Sequence, residues 1–420
     1  MYYFYMYNFI INCEKFTKEE NKKMGKLKKQ NAITLVALVI TIVVLLILAG
    51  ISISALTNTG IFAKAKDAKK KFEDVELEQN TELDSYEKEI SNYLPERKTV
   101  KQAIKECENG NPLSTDKNIE LIDEKENKMV VPAGFIVVAE ATTVVKGIVI
   151  EDVTENATKG SQFVWVPVGN ITKEDGTITE IELNRYTFAS DGTPTEQNKS
   201  VIENFYQELA VSDKGNIVAK NISEFQSSVK KNSGYYISRY EAGITGYDEN
   251  NITTSNINEE ANWTGYTSAN GKQLQLVCKA NQQVWNYITQ NKAGELSQDM
   301  YKESTKFKSD LINSYAWDTA ITFIQKCSDE INYANQNSLN SGSLPEQTGT
   351  TKDNPCNIFD IASNVCEWVT ETSNISGYPC VRRGGSYYNK DNYTCFRYSY
   401  DTPYNFVSLG FRPILYINNN

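Results

Sequence analysis

The sequence predicts an α+β, loop-rich domain carried behind a single transmembrane helix and a helical stalk. Three observations predict it. The run from Ala32 to Leu56 is apolar and carries no charge, which suits the ~20 residues that a helix needs to cross a bilayer core. After residue 130, short β-branched runs alternate with turn residues, and two later stretches show helical periodicity. The chain also holds 25 Tyr and 23 Gly, a profile that fits an aromatic-packed, loop-rich fold better than a helical bundle.

Composition bounds the function. The 420 residues are 40% hydrophobic and 23% charged, an ordinary globular composition. The net charge of -10 argues against general nucleic-acid binding. Histidine is absent. That excludes Ser-His-Asp and Cys-His mechanisms, imidazole zinc sites and the histidine facial triads of non-haem iron enzymes. Eight cysteines are present, with no Cys-x-x-Cys pair, so a structural zinc site is not expected. A chain of this size has no need of a disulfide framework, and most of the cysteines are expected as small buried residues.

The apolar run shows no polar face, which separates it from a buried core helix. Lys22, Lys23, Lys26, Lys28 and Lys29 precede it. They favour an N-terminus inside and a large domain outside, against a weaker opposing bias from Lys64, Lys66 and Lys69 to Lys71. Residues 1–31 are therefore read as a cytoplasmic basic leader, with Met24 as the expected translation start. Ile33-Thr-Leu-Val-Ala-Leu-Val-Ile-Thr-Ile42 resembles the N-terminus of a type IV prepilin. Ala32 stands where that family has its leader glycine, and Ala37 where it has its glutamate. The resemblance therefore implies an anchor at 32–56 more than a fibre-forming subunit. Residues 57–94 read as a helical stalk, with Leu83, Tyr86, Ile90 and Tyr93 on one stripe and Pro95 as its stop. Residues 95–130 read as a linker or a small lead-in element, and 131–420 as the globular domain.

Within that domain, Val130–Val138, Val144–Ile150 and Gln162–Val168 read as strands, with Pro167 marking an edge or an end. Residues 169–233 read as an insertion of polar turns. Gly234–Glu241 reads as a strand whose alternation places Tyr235, Ile237, Arg239 and Glu241 on one face. Asp248–Asn262 reads as a surface loop. Thr289 is a candidate cap for a helix burying Ala293, Leu296 and Met300. Trp317, Ala320, Ile321 and Ile324 mark a second helix, and 338–355 a long Ser/Gly/Thr loop.

Four short runs follow: Asn357 to Trp368, Arg382-Arg-Gly-Gly-Ser386, Cys395-Phe-Arg-Tyr398 and Gly410-Phe-Arg412. As an ordered set they resemble the signature of the formylglycine-generating-enzyme (sulfatase-modifying factor) family. Gln162-Phe-Val-Trp-Val-Pro167 and Gly234-Tyr-Tyr-Ile-Ser-Arg-Tyr-Glu241 resemble two earlier strands of its bacterial members. The resemblance implies a C-type-lectin-like fold. It also implies a copper(I) site of two cysteines, of which only Cys395 has a counterpart here; Asn389 occupies the first position. One thiolate does not make a two-coordinate copper(I) site, so copper is not expected. The histidine-dependent iron enzymes of the wider family are excluded by composition.

The resemblance further implies calcium at Asp360, Ser363, Asn364 and Val365, with Asp360 as a plain turn acceptor being the alternative. Glu367 is expected to pair with Arg382, Arg383 or Arg412. Trp368 and Phe411 are expected in the core, and Gly384, Gly385, Ser386 and Gly410 in structural turns. Tyr387, Tyr388, Asn389, Tyr393 and Arg397 are the candidate binding residues. The function expected is a membrane-anchored surface module, not a catalyst, that holds a glycan or protein ligand. A copper-dependent formylglycine-type oxidase and a minor pilin or pseudopilin are the alternatives.

Overall fold

The computed structural model describes residues 39–45, 69–72, 75, 97–195, 202, 204–208, 222–246, 268–269, 272–340, 342–389 and 391–419. The chain divides into two units, Met1–Glu96 and Arg97–Asn420. In the first, residues 39–45 and 69–72 are helical. Among the described residues no helix is long and apolar enough to cross a membrane. The leader, most of the expected 32–56 span and most of the 57–94 stalk lie outside the described residues. So does the expected loop at Asp248–Asn262.

The second unit is a mixed, loop-rich assembly of helices and small sheets. Its largest sheet has six strands in the spatial order Phe307–Leu311, Pro413–Ile417, Gly234–Ser238, Gln162–Pro167, Val149–Asp152 and Phe135–Val137. Gln162–Pro167 is a central strand, antiparallel to both neighbours. Its apolar run is continuous because both faces are covered. Val164 and Val166 pack with Tyr235 and Ile237 on one side, while Phe163 and Trp165 pack with Tyr236 on the other. Pro167 closes this strand. A central strand can tolerate proline at its last position, where the missing N–H breaks no internal rung.

Three helix starts follow from capping side chains. Thr99 and Gln102 form a reciprocal capping box for the Val100–Cys107 helix. Thr289 accepts from the Lys292 N–H and starts Gln290–Asp299, and Asn313 accepts from the Ala316 N–H and starts Ser314–Cys327. The last of these is buried on nearly every side, with Ala316, Trp317, Ala320, Ile321, Phe323 and Ile324 inaccessible or nearly so.

Two polar stretches carry regular structure, and the first takes the lead-in alternative. The lead-in at 95–130 enters the compact unit from Arg97 onward. Its helix and the hairpin Ile119–Ile122/Lys128–Val131 bury Val100, Ala103, Leu121, Met129 and Val131 in a core cluster with Trp165. The polar stretch 169–233 contains the helix Ile222–Asn232. Phe225 packs edge-on against Tyr235 and Tyr416 at 5.4 and 5.6 Å.

The C-terminal sheet carries the signature. Its order is Tyr206–Gln207, Cys366–Ser373, Cys380–Arg383 and Arg397–Tyr400, and Leu409–Phe411 pairs in parallel with the start of Cys366–Ser373. Among the described residues Arg397–Tyr400 is its outer strand. The register sets Arg382 opposite Tyr398 and Arg383 opposite Arg397. Successive side chains therefore serve opposite faces.

Candidate functional site: an aromatic face over a buried arginine network

One face of the C-terminal sheet is ionic and buried. The Arg383 Nη2 donates to Asp318 Oδ1 at 2.5 Å and to the Cys395 carbonyl at 3.2 Å, and its Nε donates to the Phe396 carbonyl at 3.2 Å. Arg397 donates to Asp318 at 2.5 Å and to both oxygens of Glu371. Arg185 is a further partner of Glu371. Burial works against an ionised Glu371, but Arg397, Arg185 and Arg383 outweigh it and hold its carboxyl down to about 2. Glu208, half-buried next to this group, accepts from the Ser314 N–H and the Thr370 hydroxyl. Burial, with Glu371 adding to it, pushes the Glu208 carboxyl up to about 7.

A second buried pair joins the last strands. Arg412 donates from Nε and Nη2 to Glu367, and from Nη1 and Nη2 to the carbonyls of Ser238 and Phe359. Of the three arginines expected as partners of Glu367, Arg412 is the one in contact. Trp368 and Phe411 are fully buried as expected. Gly384 has φ +79° and its backbone lies where a Cβ would meet the Ile361 carbonyl at 2.8 Å. That combination demands glycine. At Gly385 a Cβ would approach the Ala362 carbonyl to 2.5 Å. Ser386 caps the next turn by accepting the Asn389 N–H at 3.0 Å. Gly410 packs beside Val365.

The residues implied for calcium are committed to protein partners. Asp360 accepts from the Thr351 hydroxyl and the Gly349 N–H. Ser363 Oγ accepts from Leu339 N–H at 3.0 Å. The Asn364 side chain donates to Glu241 and accepts from the Glu346 N–H, and Val365 N–H donates to Glu241. These contacts engage the side-chain oxygens of Asp360, Ser363 and Asn364. Among the described residues no cluster of three or more Cys, Asp or Glu could hold a metal ion.

Cys395 is the counterpart of one of the two copper(I) ligands that the resemblance implies. Its N–H donates to the Ala334 carbonyl, and its thiol is half-buried against the core. Burial raises the thiol above its ordinary value, with Arg383 opposing and Asp318 adding. A raised thiol supplies less of the thiolate that nucleophilic chemistry needs. The seven cysteines among the described residues are all free, and Cys107, Cys278, Cys366 and Cys380 are buried.

The candidate binding residues separate. Arg397 belongs to the buried network, because the Asp318 and Glu371 carboxylates neutralise it there. Tyr387 is 2% exposed and packs with Val284 and Val365. Asn389 is half-buried. Tyr388 and Tyr393 remain at the surface, at 61% and 45% exposure.

Tyr388 is one end of a larger feature. Rings run in contact from Tyr388 to Phe406, Tyr404, Tyr400, Tyr398 and Phe396, each centroid within 6.4 Å of the next. The tightest step is the parallel stack of Tyr400 on Tyr404 at 3.9 Å. Beneath them lies Arg382, with its guanidinium 5.4 Å from the Tyr398 centroid and 5.6 Å from that of Tyr400. Strand alternation explains the arrangement: Tyr398 and Tyr400 share a face with Arg382, while Arg397 and Arg383 point to the other.

A cavity of about 340 Å³ is lined by Tyr206 from one edge strand of the sheet, by Tyr398, Ser399 and Tyr400 from the other, and by Ile375 and Tyr378. Sequence reasoning drew attention to the crowd of C-terminal tyrosines but missed Tyr206, Ile375 and Tyr378. These come from two other segments, and only the sheet pairing brings them together.

Comparison with known proteins adds three weak likenesses. No family model matches the chain, and no curated protein does. Treponema denticola variable protein 1 is 14% identical over 61% of this chain and 96% of its own, at a TM-score of 0.25. The Major Tropism Determinant I1 variant is 11% identical over 77% of this chain and 99% of its own, at 0.24. The M1 variant is 11% identical over 72% and 81%, at 0.25. Scores at this level carry no argument about fold or function. The class defined by the chain's own geometry is a mixed α/β, loop-rich protein with an exposed aromatic face.

Proposed function

We propose that this chain is a membrane-anchored surface module with a C-type-lectin-like, formylglycine-generating-enzyme-like scaffold, and that it holds a glycan or protein ligand without catalysing a reaction. The observation that carries the reading is the aromatic belt from Tyr388 to Phe396. Large rings with a polar edge supply contact area at low conformational cost, and such residues dominate recognition surfaces. The signature arginines support the reading from the other side. Arg383 and Arg412 are consumed by Asp318, Glu367 and backbone carbonyls, so they serve the scaffold. Asn389 stands in place of the first signature cysteine and the Cys395 thiol is raised, which speaks against an oxidase.

The anchor rests on the uncharged run Ala32 to Leu56 and the preceding lysines. It places the domain outside the cell with the N-terminus inside. The test is display of the full chain on cells, with binding screened on a glycan array and a surface-protein array. Binding to either array is expected, and the double variant Tyr388→Ala/Tyr398→Ala is expected to lose it while keeping its melting temperature. Binding that survives the double variant would place the ligand elsewhere.

A further inference from the structure

We infer that the cavity beside the strand Arg397–Tyr400 is a subsite for one uncharged sugar ring, and that the aromatic belt continues it along a linear oligosaccharide. This rests on the module reading above and specifies its ligand.

Four observations lead there. First, among the described residues no charged side chain lines the cavity. A second cavity of about 340 Å³ elsewhere in the domain is lined by Asp329, Glu330, Lys352 and Asp353, so the absence of charge is a property of this cavity and not of the protein's cavities in general. An uncharged wall gives a charged ligand no partner for the water it must shed. Second, the wall is made mainly of tyrosine rings. A ring face is the negative end of a quadrupole, and the axial C–H bonds of a pyranose present a weakly positive face of similar size. Third, Tyr378 is 51% exposed at this wall, and its hydroxyl offers a donor and an acceptor to a ligand rich in hydroxyls. Fourth, the cavity does not stand alone. Tyr398 and Tyr400 belong both to its wall and to the belt that reaches Tyr388. Its volume is at the small end of ligand sites, ~300–1,000 Å³, which suits one ring inside and further rings along the belt.

The belt also fits this ligand better than a long apolar helix. Its exposed members, Tyr388 and Tyr398, carry hydroxyls, whereas helix-binding grooves present an aliphatic or Met-rich floor. No bound metal is needed, because stacking and hydroxyl contacts carry the recognition.

The test is titration of the purified full chain with cellohexaose, maltohexaose and chitohexaose, with a hexagalacturonate as the anionic control. Saturable binding of at least one neutral hexasaccharide is expected, with none of the anionic one. Tyr378→Ala and Tyr398→Ala, at exposed positions, are each expected to weaken it about tenfold, and Tyr398→Phe to keep it. Melting curves confirm that each variant is folded. The inference is overturned if no neutral hexasaccharide binds the folded chain, or if binding ignores both tyrosine substitutions. If every hexasaccharide fails while a protein ligand binds through Tyr388 and Tyr398, the sugar subsite falls and the module reading stands. If neither class binds, both fall.

Discussion

Asp360→Asn gives a direct measure of the electrostatics under the signature. Asp360 is fully buried, and four carboxyl groups there, Glu241, Asp353, Asp360 and Glu367, share the charge of Arg412. Burial, with Asp353 adding to it and Thr351 and Arg412 opposing, pushes the Asp360 carboxyl from 3.8 up to about 7. The folded chain thus keeps a proton that the unfolded chain releases above pH ~4. Stability contributed by that proton is full below the unfolded value and is lost as pH rises through 7. A displacement of roughly 3 pH units at ~1.36 kcal/mol each sets a ceiling of about 4 kcal/mol. Relaxation of the neighbouring carboxyls reduces this to about 2 kcal/mol.

Asparagine mimics the protonated acid and can still accept from the Gly349 N–H. It also tolerates the left-handed backbone, φ +65°, at this position. The assay is urea unfolding of both proteins at pH 5, 6, 7 and 8. The variant is expected to match the wild type below pH ~4 and to gain on it steadily as the pH rises, reaching an excess of about 2 kcal/mol at pH 8. Glu208 titrates in the same range in both proteins and cancels in the difference. A difference that stays flat from pH 5 to pH 8 would refute the reasoning.

Two further outcomes follow from the same geometry. Arg383→Lys removes the planar fork that serves Asp318 and two backbone carbonyls; it should cost roughly 3–5 kcal/mol in urea unfolding, and a loss under ~1 kcal/mol would deny the network its structural role. Calcium at about 1 mM should leave the melting temperature unmoved, since the Asp360, Ser363 and Asn364 oxygens already have protein partners. A site holding calcium a hundredfold below that concentration would add ~2.7 kcal/mol, a rise of several degrees.

Local signals in the sequence carried some of this architecture and not the rest. Thr289 and the Trp317/Ile321/Ile324 stripe announce their helices because a cap and a 3.6-residue period act within one turn. The Ile222–Asn232 helix has too few apolar residues to stand out, and its burial depends on Tyr235 and Tyr416. The hairpin at 119–131 reads as polar because only Leu121, Met129 and their neighbours on one face enter the core. At the site, the absence of a second signature cysteine is visible in Asn389 alone. That Arg397 is interior and Tyr398 exterior is not visible, because it depends on which face of the sheet each neighbour serves.

The adjacent arginines Arg382 and Arg383 state this division most economically. They follow one another on a strand, so they must point to opposite faces. Arg383 meets Asp318 and the carbonyls of the Cys395 segment, and it ties the outer strand to the Ser314–Cys327 helix. Arg382 meets ring faces instead, where a guanidinium stacks without a carboxylate partner. The first fixes where the strand Arg397–Tyr400 lies. The second fixes how its tyrosines stand. A lysine serves the second role poorly, because it lacks a planar group to lie across several rings. The two residues thus couple the buried charge network to the exposed belt through one short strand, and the surface proposed for ligand binding gains its rigidity from the ion pairs behind it.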